Sequence, residues 1–118
     1  DWRLDSAPVK LLPVNPTLRF WHRYAIEAGW DGGKLQISSN GGQSFAELSP
    51  EGGYPTSDVD ALGGPGYSGN SGGWVQAEFD LSAYAGQTVI LRWRFASDGS
   101  ETDLGWALDD VLITGRKN

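Results

Sequence analysis

The sequence predicts an all-β fold, an antiparallel β-sandwich of the jelly-roll type, in a single domain covering residues 1–118. Short runs of alternating apolar and polar residues recur along the chain, which is typical of strands with one buried face. The 17 glycines and six prolines fall between these runs, where the turns of a β fold need them. A chain of this length buries about 65% of its unfolded surface, so one hydrophobic core suffices.

The N-terminal segment and the first clear strand differ in pattern. Residues 2–14 are rich in apolar side chains, but Pro8 and Pro13 interrupt them, which favours at most an edge strand. Residues 18–27 alternate without interruption, so this run predicts a strand with one buried face. The side chains expected on that face are Leu18, Phe20, His22, Tyr24 and Ile26.

The middle of the chain predicts a hairpin followed by a long loop. A turn at 29–33 leads to a strand over residues 34–39, and Asn40 and Gly41 readily adopt the positive φ of a hairpin turn. A strand over 44–48 then pairs back. Residues 49–73 are glycine-rich and aperiodic, which predicts a long ordered loop that carries variable contacts. Its expected anchors are Tyr54, Leu62 and Tyr67.

Three further strands are predicted after the loop, over residues 74–81, 88–96 and 105–114. The second of them alternates apolar residues with arginines, as a half-buried strand does. In the last strand, strict alternation places the adjacent Asp109 and Asp110 on opposite sides. We therefore expect one of the two carboxylates to point inward or toward a strand end.

Composition excludes several function classes. The net charge of −6 argues against a nucleic-acid partner and suits a cation, although it also suits a soluble exported domain. With no cysteine, the chain has no disulfide, thiol chemistry or cysteine-based zinc site. No run approaches the ~20 apolar residues of a membrane span, so no membrane insertion is expected. The chain opens at Asp1 without a signal peptide, which suggests a processed piece or an excised domain.

A set of ordered motifs resembles a known family. They are residues 18–27, Asp31-Gly32-Gly33, Asn40-Gly41-Gly42, the Leu91–Phe95 run and the closing Trp106–Val111 run. Together, over residues 18–114, they resemble the MAM-like β-sandwich domains appended to secreted bacterial proteases, such as the immune inhibitor A type metalloproteases. The resemblance implies a jelly-roll sandwich, an extracellular setting, no catalysis by the module itself and, in many relatives, bound Ca²⁺. Eukaryotic MAM domains carry cysteines, so their adhesive role does not transfer.

Acidic residues are the candidate calcium ligands, because Ca²⁺ takes six to eight oxygens from carboxylates and carbonyls. The resemblance implies that the first acid of the closing pair, Asp109, helps to bind the ion. Glu27 and Asp31 flank a glycine-containing turn at a strand end and follow as candidates, with Asp110 the fourth. The alternative is that these acids form ion pairs with arginines of the strands. Those arginines are Arg19, Arg23, Arg92 and Arg94.

Exposed aromatic residues are the candidate ligand surface. Trp30, Tyr54, Tyr67 and Trp74 lie at loops or strand ends, where they could stack on sugar rings. The alternative is packing, since aromatic residues are favoured in strands for that reason. The remaining strand tryptophans are expected in the core. They are Trp21, Trp93 and Trp106.

Catalysis finds little support in the sequence. His22 is the single histidine and lies mid-strand, which favours a structural role, and no nucleophile elbow is present. Asp109 and Asp110 diverge, the wrong layout for glycoside cleavage.

We predict a secreted, calcium-stabilised accessory module of a bacterial protein, a protease by resemblance. Its partners are the catalytic domain of the same chain and a protein or glycan target. The alternatives are a carbohydrate-binding module and a small glycoside hydrolase.

Overall fold

The structure, a computed structural model, describes residues 2–97 and 105–117 and consists mainly of antiparallel strands. In chain order they are β1 (Trp2–Asp5), β2 (Val9–Lys10), β3 (Val14–Tyr24), β4 (Gly32–Ser38), β5 (Ala46–Leu48), β6 (Thr56–Val59), β7 (Gly64–Gly66), β8 (Val75–Asp80), β9 (Thr88–Ala96) and β10 (Trp106–Arg116). Within the described ranges, helical structure is limited to the 3₁₀ turns Asp60–Leu62 and Ser82–Tyr84. No helix among these residues has the length and apolar character of a membrane span. The predicted all-β class is confirmed.

The strands form two facing sheets and a small hairpin. β1 and β2 both pair with β9, which pairs with β4, and β4 pairs with β5, so this sheet has five strands. β3 occupies the centre of the three-stranded sheet, between β10 and β8, and β6 pairs with β7. All these pairings are antiparallel, as a jelly-roll-type sandwich requires.

The core between the sheets is largely aromatic. Phe20 of β3 lies at its centre, stacked on Phe79 of β8 with ring centroids 5.9 Å apart and edge-on to Trp93 of β9 at 5.7 Å. Burial of side chains of this size stabilises the fold by about 1.5–3 kcal/mol each, and aromatic pairing adds about 1 kcal/mol. The inward row of β3 is buried as its alternation predicts, and it consists of Pro16, Leu18, Phe20, His22 and Tyr24.

The N-terminal prolines determine where the edge strands break. Pro8 lies between β1 and β2, and Pro13 follows β2, so neither proline removes a hydrogen bond from a ladder. The predicted proline-broken edge strand is therefore two short strands along the same neighbour, β9. β3 begins at Val14, four residues earlier than the alternation predicts.

The segment 49–73, predicted as one long loop, contains the β6–β7 hairpin and a 3₁₀ turn. Of its predicted anchors, Leu62 and Tyr67 are buried and Tyr54 is half-buried. Leu62 also forms a small second cluster with Val59 and Ala96. Strands of three or four residues are too short to show periodicity, which is why the sequence did not predict this hairpin.

Candidate functional site

The turn after β3 carries two of the predicted calcium ligands, Glu27 and Asp31. Gly29 adopts a φ of +80°, which lets the chain reverse without strain. The Glu27 carbonyl accepts a hydrogen bond from the Asp31 amide at 3.2 Å, and Ser68 Oγ donates to the Asp31 carbonyl at 2.6 Å. Asp31 is buried and Glu27 is exposed. The turn is thus a well-ordered, oxygen-rich corner of the sandwich.

The other two predicted ligands, Asp109 and Asp110, lie in a β-bulge of β10. The register passes from Asp109 opposite Trp21 to Leu112 opposite Arg19, so β10 advances three residues where β3 advances two. Asp110 takes a φ of +51°, and its amide donates to Asp109 Oδ1 at 2.8 Å. Both acids are exposed. Neither acid points into the core, because the extra residue breaks the alternation, and the other predicted orientation, toward a strand end, stays a prediction.

The four acids therefore occupy two separate places. Asp109 lies opposite Trp21, four residues of extended chain before Ala25, and the Glu27 turn lies beyond Ala25. At about 3.3 Å per residue, at least ~13 Å of strand separates the bulge from the turn. In residues 2–97 and 105–117, no three histidine, cysteine or acidic side chains form a metal-binding group.

A calcium site that uses all four acids does not fit this geometry. Glu27 and Asp31 lie four residues apart around one turn, so a site that uses these two stays a prediction. Such a site would draw at most two carboxylates from them, of the six to eight oxygens that Ca²⁺ takes. The role of Asp109 and Asp110 as calcium ligands also stays a prediction, and it would require a second, separate site.

Two of the strand arginines pair with acids outside the predicted set. Arg19 Nε lies 2.9 Å from Glu78 Oε1 on the outer face of the three-stranded sheet. The Arg92 guanidinium donates two parallel hydrogen bonds to the Asp5 carboxylate, from Nε to Oδ1 at 2.8 Å and from Nη2 to Oδ2 at 2.9 Å. This hydrogen bonding with Arg92 lowers the pKa of the Asp5 carboxyl. The alternative that strand arginines take up the predicted calcium ligands therefore does not hold for Arg19 and Arg92.

Tyr54 and Tyr67, predicted as ligand contacts, belong to the packed interior. The Tyr67 ring is edge-on to His22 at 4.5 Å and to Tyr54 at 5.0 Å between centroids. Tyr54 Oη accepts from the Leu35 amide at 3.0 Å and donates to the Leu48 carbonyl at 2.6 Å. Burial raises the pKa of both phenols above the ordinary value. These two rings therefore follow the packing alternative and do not form a flat exposed surface, because their loop folds back onto the sandwich.

Three exposed tryptophans remain at or near the predicted surface. Trp30 and Trp74 are exposed as predicted, whereas Trp21, predicted in the core, is 40% exposed. The alternation of β3 contains the missed signal, since Trp21 shares its outward row with Arg19 and Arg23. The Arg23 guanidinium lies over the Trp74 ring, 5.6 Å from its centroid, at a distance typical of a cation–π contact. We call Trp21, Arg23 and Trp74 the outer tryptophan face.

A cavity of about 300 Å³ opens beside the outer tryptophan face. Its walls are held in place by Ser71, whose Oγ accepts from the Tyr24 amide at 3.0 Å and donates to the Gly73 carbonyl at 2.7 Å. The sequence did not reveal this cavity, because a loop and the ends of two strands meet there only in the fold. Side chains and backbone that line it include Arg23, Asn70, Ser71, Gly73, Gly105 and Trp106.

His22 has the environment of a structural histidine. It is 1% exposed, and its Nδ1 accepts a hydrogen bond from Trp106 Nε1 at 3.0 Å. Burial lowers the pKa of its imidazole to about 4, so the ring is neutral at physiological pH. Because the chain contains one histidine and no cysteine, no second imidazole or thiol is present to complete a nucleophilic pair with it.

Comparison with known proteins gives one family and two kinds of relative. The family model described as "Immune inhibitor A-like, MAM domain" matches residues 9–117. The chain is 39% identical over 99 residues to the pre-pro-metalloprotease PrtV of Vibrio cholerae serotype O1, which covers 82% of this chain and 10% of that protein. It is 38% identical over 50 residues to bacillopeptidase F of Bacillus subtilis, and this aligned region covers 42% of this chain and 4% of that protein. The chain thus spans a tenth or less of the curated relatives it matches.

Proposed function

Because this chain belongs to the immune inhibitor A-like MAM domain family, we propose that it is a non-catalytic accessory module of a larger secreted bacterial protease. The observation that carries the proposal is the family match over residues 9–117. The resemblance identified from the sequence is confirmed, since its span of 18–114 lies within that match. Both relatives are peptidases by name, and most of each lies outside the matched region. The first partner of the module is then the catalytic domain of the same polypeptide.

The chemistry of the described residues supports a non-catalytic role. The one histidine is buried and neutral, and the exposed acids of the bulge are adjacent rather than placed across a cleft. The acidic balance suits a module that stays soluble outside the cell. The role we propose is to stabilise the protease or to hold it on a target.

The test uses the complete parent polypeptide with and without this module. We expect the deletion to shorten the half-life of the protease at elevated temperature or to reduce its binding to its natural target. Hydrolysis of a short peptide substrate, measured as kcat/KM, stays the same. The isolated module has no peptidase activity. Casein hydrolysis by the isolated module contradicts the proposal, as does a deletion that leaves stability and target binding unchanged.

We further propose that Ca²⁺ stabilises the module at the turn of Glu27 and Asp31. The support is the position of a buried acidic residue, Asp31, four residues from a second carboxylate in a turn whose carbonyls are held in place by Ser68. A cation beside a buried carboxylate offsets the cost of its desolvation. Calcium bound only by the folded state stabilises it by about 2.7 kcal/mol at one hundred times its Kd.

Thermal melting tests the calcium proposal directly. In metal-stripped buffer, adding Ca²⁺ raises the Tm of the wild type by about 10 °C, and EDTA reverses the rise. Asp31→Asn lowers the Tm and abolishes its response to Ca²⁺, whereas the exposed bulge variant Asp109→Asn retains the full response. An unchanged Tm on adding Ca²⁺ refutes calcium stabilisation, and loss of the response in Asp109→Asn alone moves the site to the bulge.

A further inference from the structure

The described wall of the cavity beside the outer tryptophan face carries positive charge. Among the described residues that line it, Arg23 alone is charged. Its guanidinium is stacked on Trp74, and no acidic side chain of residues 2–97 or 105–117 forms an ion pair with it. In a chain with a net charge of −6, the described wall of this cavity is positive. Charge complementarity therefore points to an anionic group as its occupant.

The surroundings of Arg23 also favour a ring. Trp106 lines the cavity, and Gly73, the residue before Trp74, forms part of its rim. Trp74 and Trp21 are 46% and 40% exposed, on the same outward side of the sheet as Arg23. Indole faces suit the apolar C–H face of a sugar ring, while guanidinium and amide groups suit its hydroxyl and carboxylate oxygens. A volume of about 300 Å³ lies at the lower end for ligand pockets and suits one such ring.

The strand that carries Arg23 makes a peptide a poorer fit. β3 is the central strand of its sheet and pairs with β10 on one side and β8 on the other. Its backbone groups are therefore engaged, and an extended peptide finds no free strand edge at Arg23 to pair with. A glycan needs no such edge, because it binds through ring stacking and side-chain hydrogen bonds.

We propose that this cavity and the outer tryptophan face bind an acidic saccharide, with the sugar carboxylate on Arg23 and neighbouring rings on Trp74 and Trp21. Asn70 also lines the cavity, and because its Oδ1 accepts a hydrogen bond from the Gly72 amide at 2.8 Å, its Nδ2 group is the one offered to the same ring. The net negative charge of the chain repels an acidic saccharide only weakly at this site. Exposed charges more than about 8 Å from the bound ligand are largely screened at physiological ionic strength. This site extends the proposed accessory role but does not depend on it.

Isothermal titration calorimetry on the 118-residue chain tests the proposal with two acidic probes, trigalacturonic acid and sialyllactose. The trimethyl ester of trigalacturonic acid and the methyl ester of sialyllactose are the matched neutral ligands, because they keep the shape and remove every carboxylate charge. We expect saturable binding of at least one acid, and the neutral form of that ligand to bind about tenfold more weakly or worse. Arg23→Gln and Trp74→Ala each lose about tenfold in affinity. The matched controls Arg3→Gln and Trp2→Ala, exposed on β1, stay within twofold.

Several results would overturn the proposal. They are no saturable binding of either acid at millimolar concentration, equal binding of the ester, or Arg23→Gln with wild-type affinity. Binding of a peptide with a free C-terminal carboxylate, but of neither saccharide, assigns the cavity to peptides instead. If Trp74→Ala fails to fold, the affinity of Arg23→Gln and the binding of the neutral ester by the wild type still test the proposal. Failure of all saccharide binding leaves the accessory role untouched, because that role is measured by the stability and targeting of the parent protease.

Discussion

Acidification should destabilise the module through its one histidine. His22 is 1% exposed, and burial lowers the pKa of its imidazole to about 4 in the folded state. In the unfolded chain the imidazole returns to its ordinary pKa of about 6.5, so the unfolded state binds more protons between these two values. The contribution of neutral His22 is therefore complete above about pH 6.5 and is lost as the pH falls toward 4. At 1.36 kcal/mol per pKa unit, the total loss is about 3 kcal/mol.

Urea unfolding at pH values from 7.5 to 4 measures this loss. Carboxylates titrate in the lower part of the range, so the matched comparison is His22→Gln, which keeps an acceptor for the Trp106 indole N–H. We expect the free energy of unfolding of the wild type to fall by about 3 kcal/mol more than that of the variant over this range. Because the chain has one histidine, its imidazole resonance in the folded protein also gives the pKa directly by NMR. A folded-state midpoint near 6.5, or parallel pH profiles of the two proteins, refutes the reasoning.

Three substitutions test the packing, each by urea unfolding. Gly33→Ala places a methyl group 2.3 Å from the Trp106 ring and should lower the free energy of unfolding by about 1–3 kcal/mol. In the control Gly64→Ala, the added methyl group meets nothing within 4 Å and should lower it by less than 1 kcal/mol. Equal losses of stability contradict the close contact at Gly33. Tyr54→Phe leaves the Leu35 amide and the Leu48 carbonyl without their partner and should cost about 1–3 kcal/mol, which a neutral result refutes. Asp110→Val should be about 1–2 kcal/mol less stable than Asp110→Gly, because a β-branched residue is strained at a φ of +51°; equal stability contradicts the bulge.

The strands that the sequence predicts well are those whose inner row is continuous. β3 and β9 alternate over nine or more residues, and their inward side chains are buried as their period requires. Periodicity of two is a strong signal at that length, because one face meets the core and the other meets water. Short strands such as β6 and β7 have no room for it and form only because the hairpin packs over Leu62.

The candidate site was harder to predict for a related reason. Alternation assigns each residue to a face of the sheet only where the strand pairing is regular. The bulge in β10 adds one unpaired residue, and no pattern in the sequence predicts it. Asp109 and Asp110 are both exposed there, and the pairing of Asp109 with Trp21 keeps them a stretch of strand away from Glu27 and Asp31. Loop aromatics are equally ambiguous, since Tyr54 and Trp74 both follow irregular chain and only the fold decides that one is half-buried in the interior and the other is exposed.

The two outer faces of the sandwich differ in how their charged side chains are paired and in how much aromatic surface they expose. On the five-stranded sheet, Asp5 neutralises Arg92 and Glu47 neutralises Lys34, so these charges are satisfied within the module. On the three-stranded sheet, Arg19 pairs with Glu78, but Arg23 has an indole face as its partner, and Trp21 and Trp74 are exposed to water. Exposed indole surface forgoes about 1–2 kcal/mol per ring that burial would supply, and the same strand buries Phe20 one residue away. This unused stabilisation is the reason we propose the ligand site on the three-stranded face rather than on the five-stranded one.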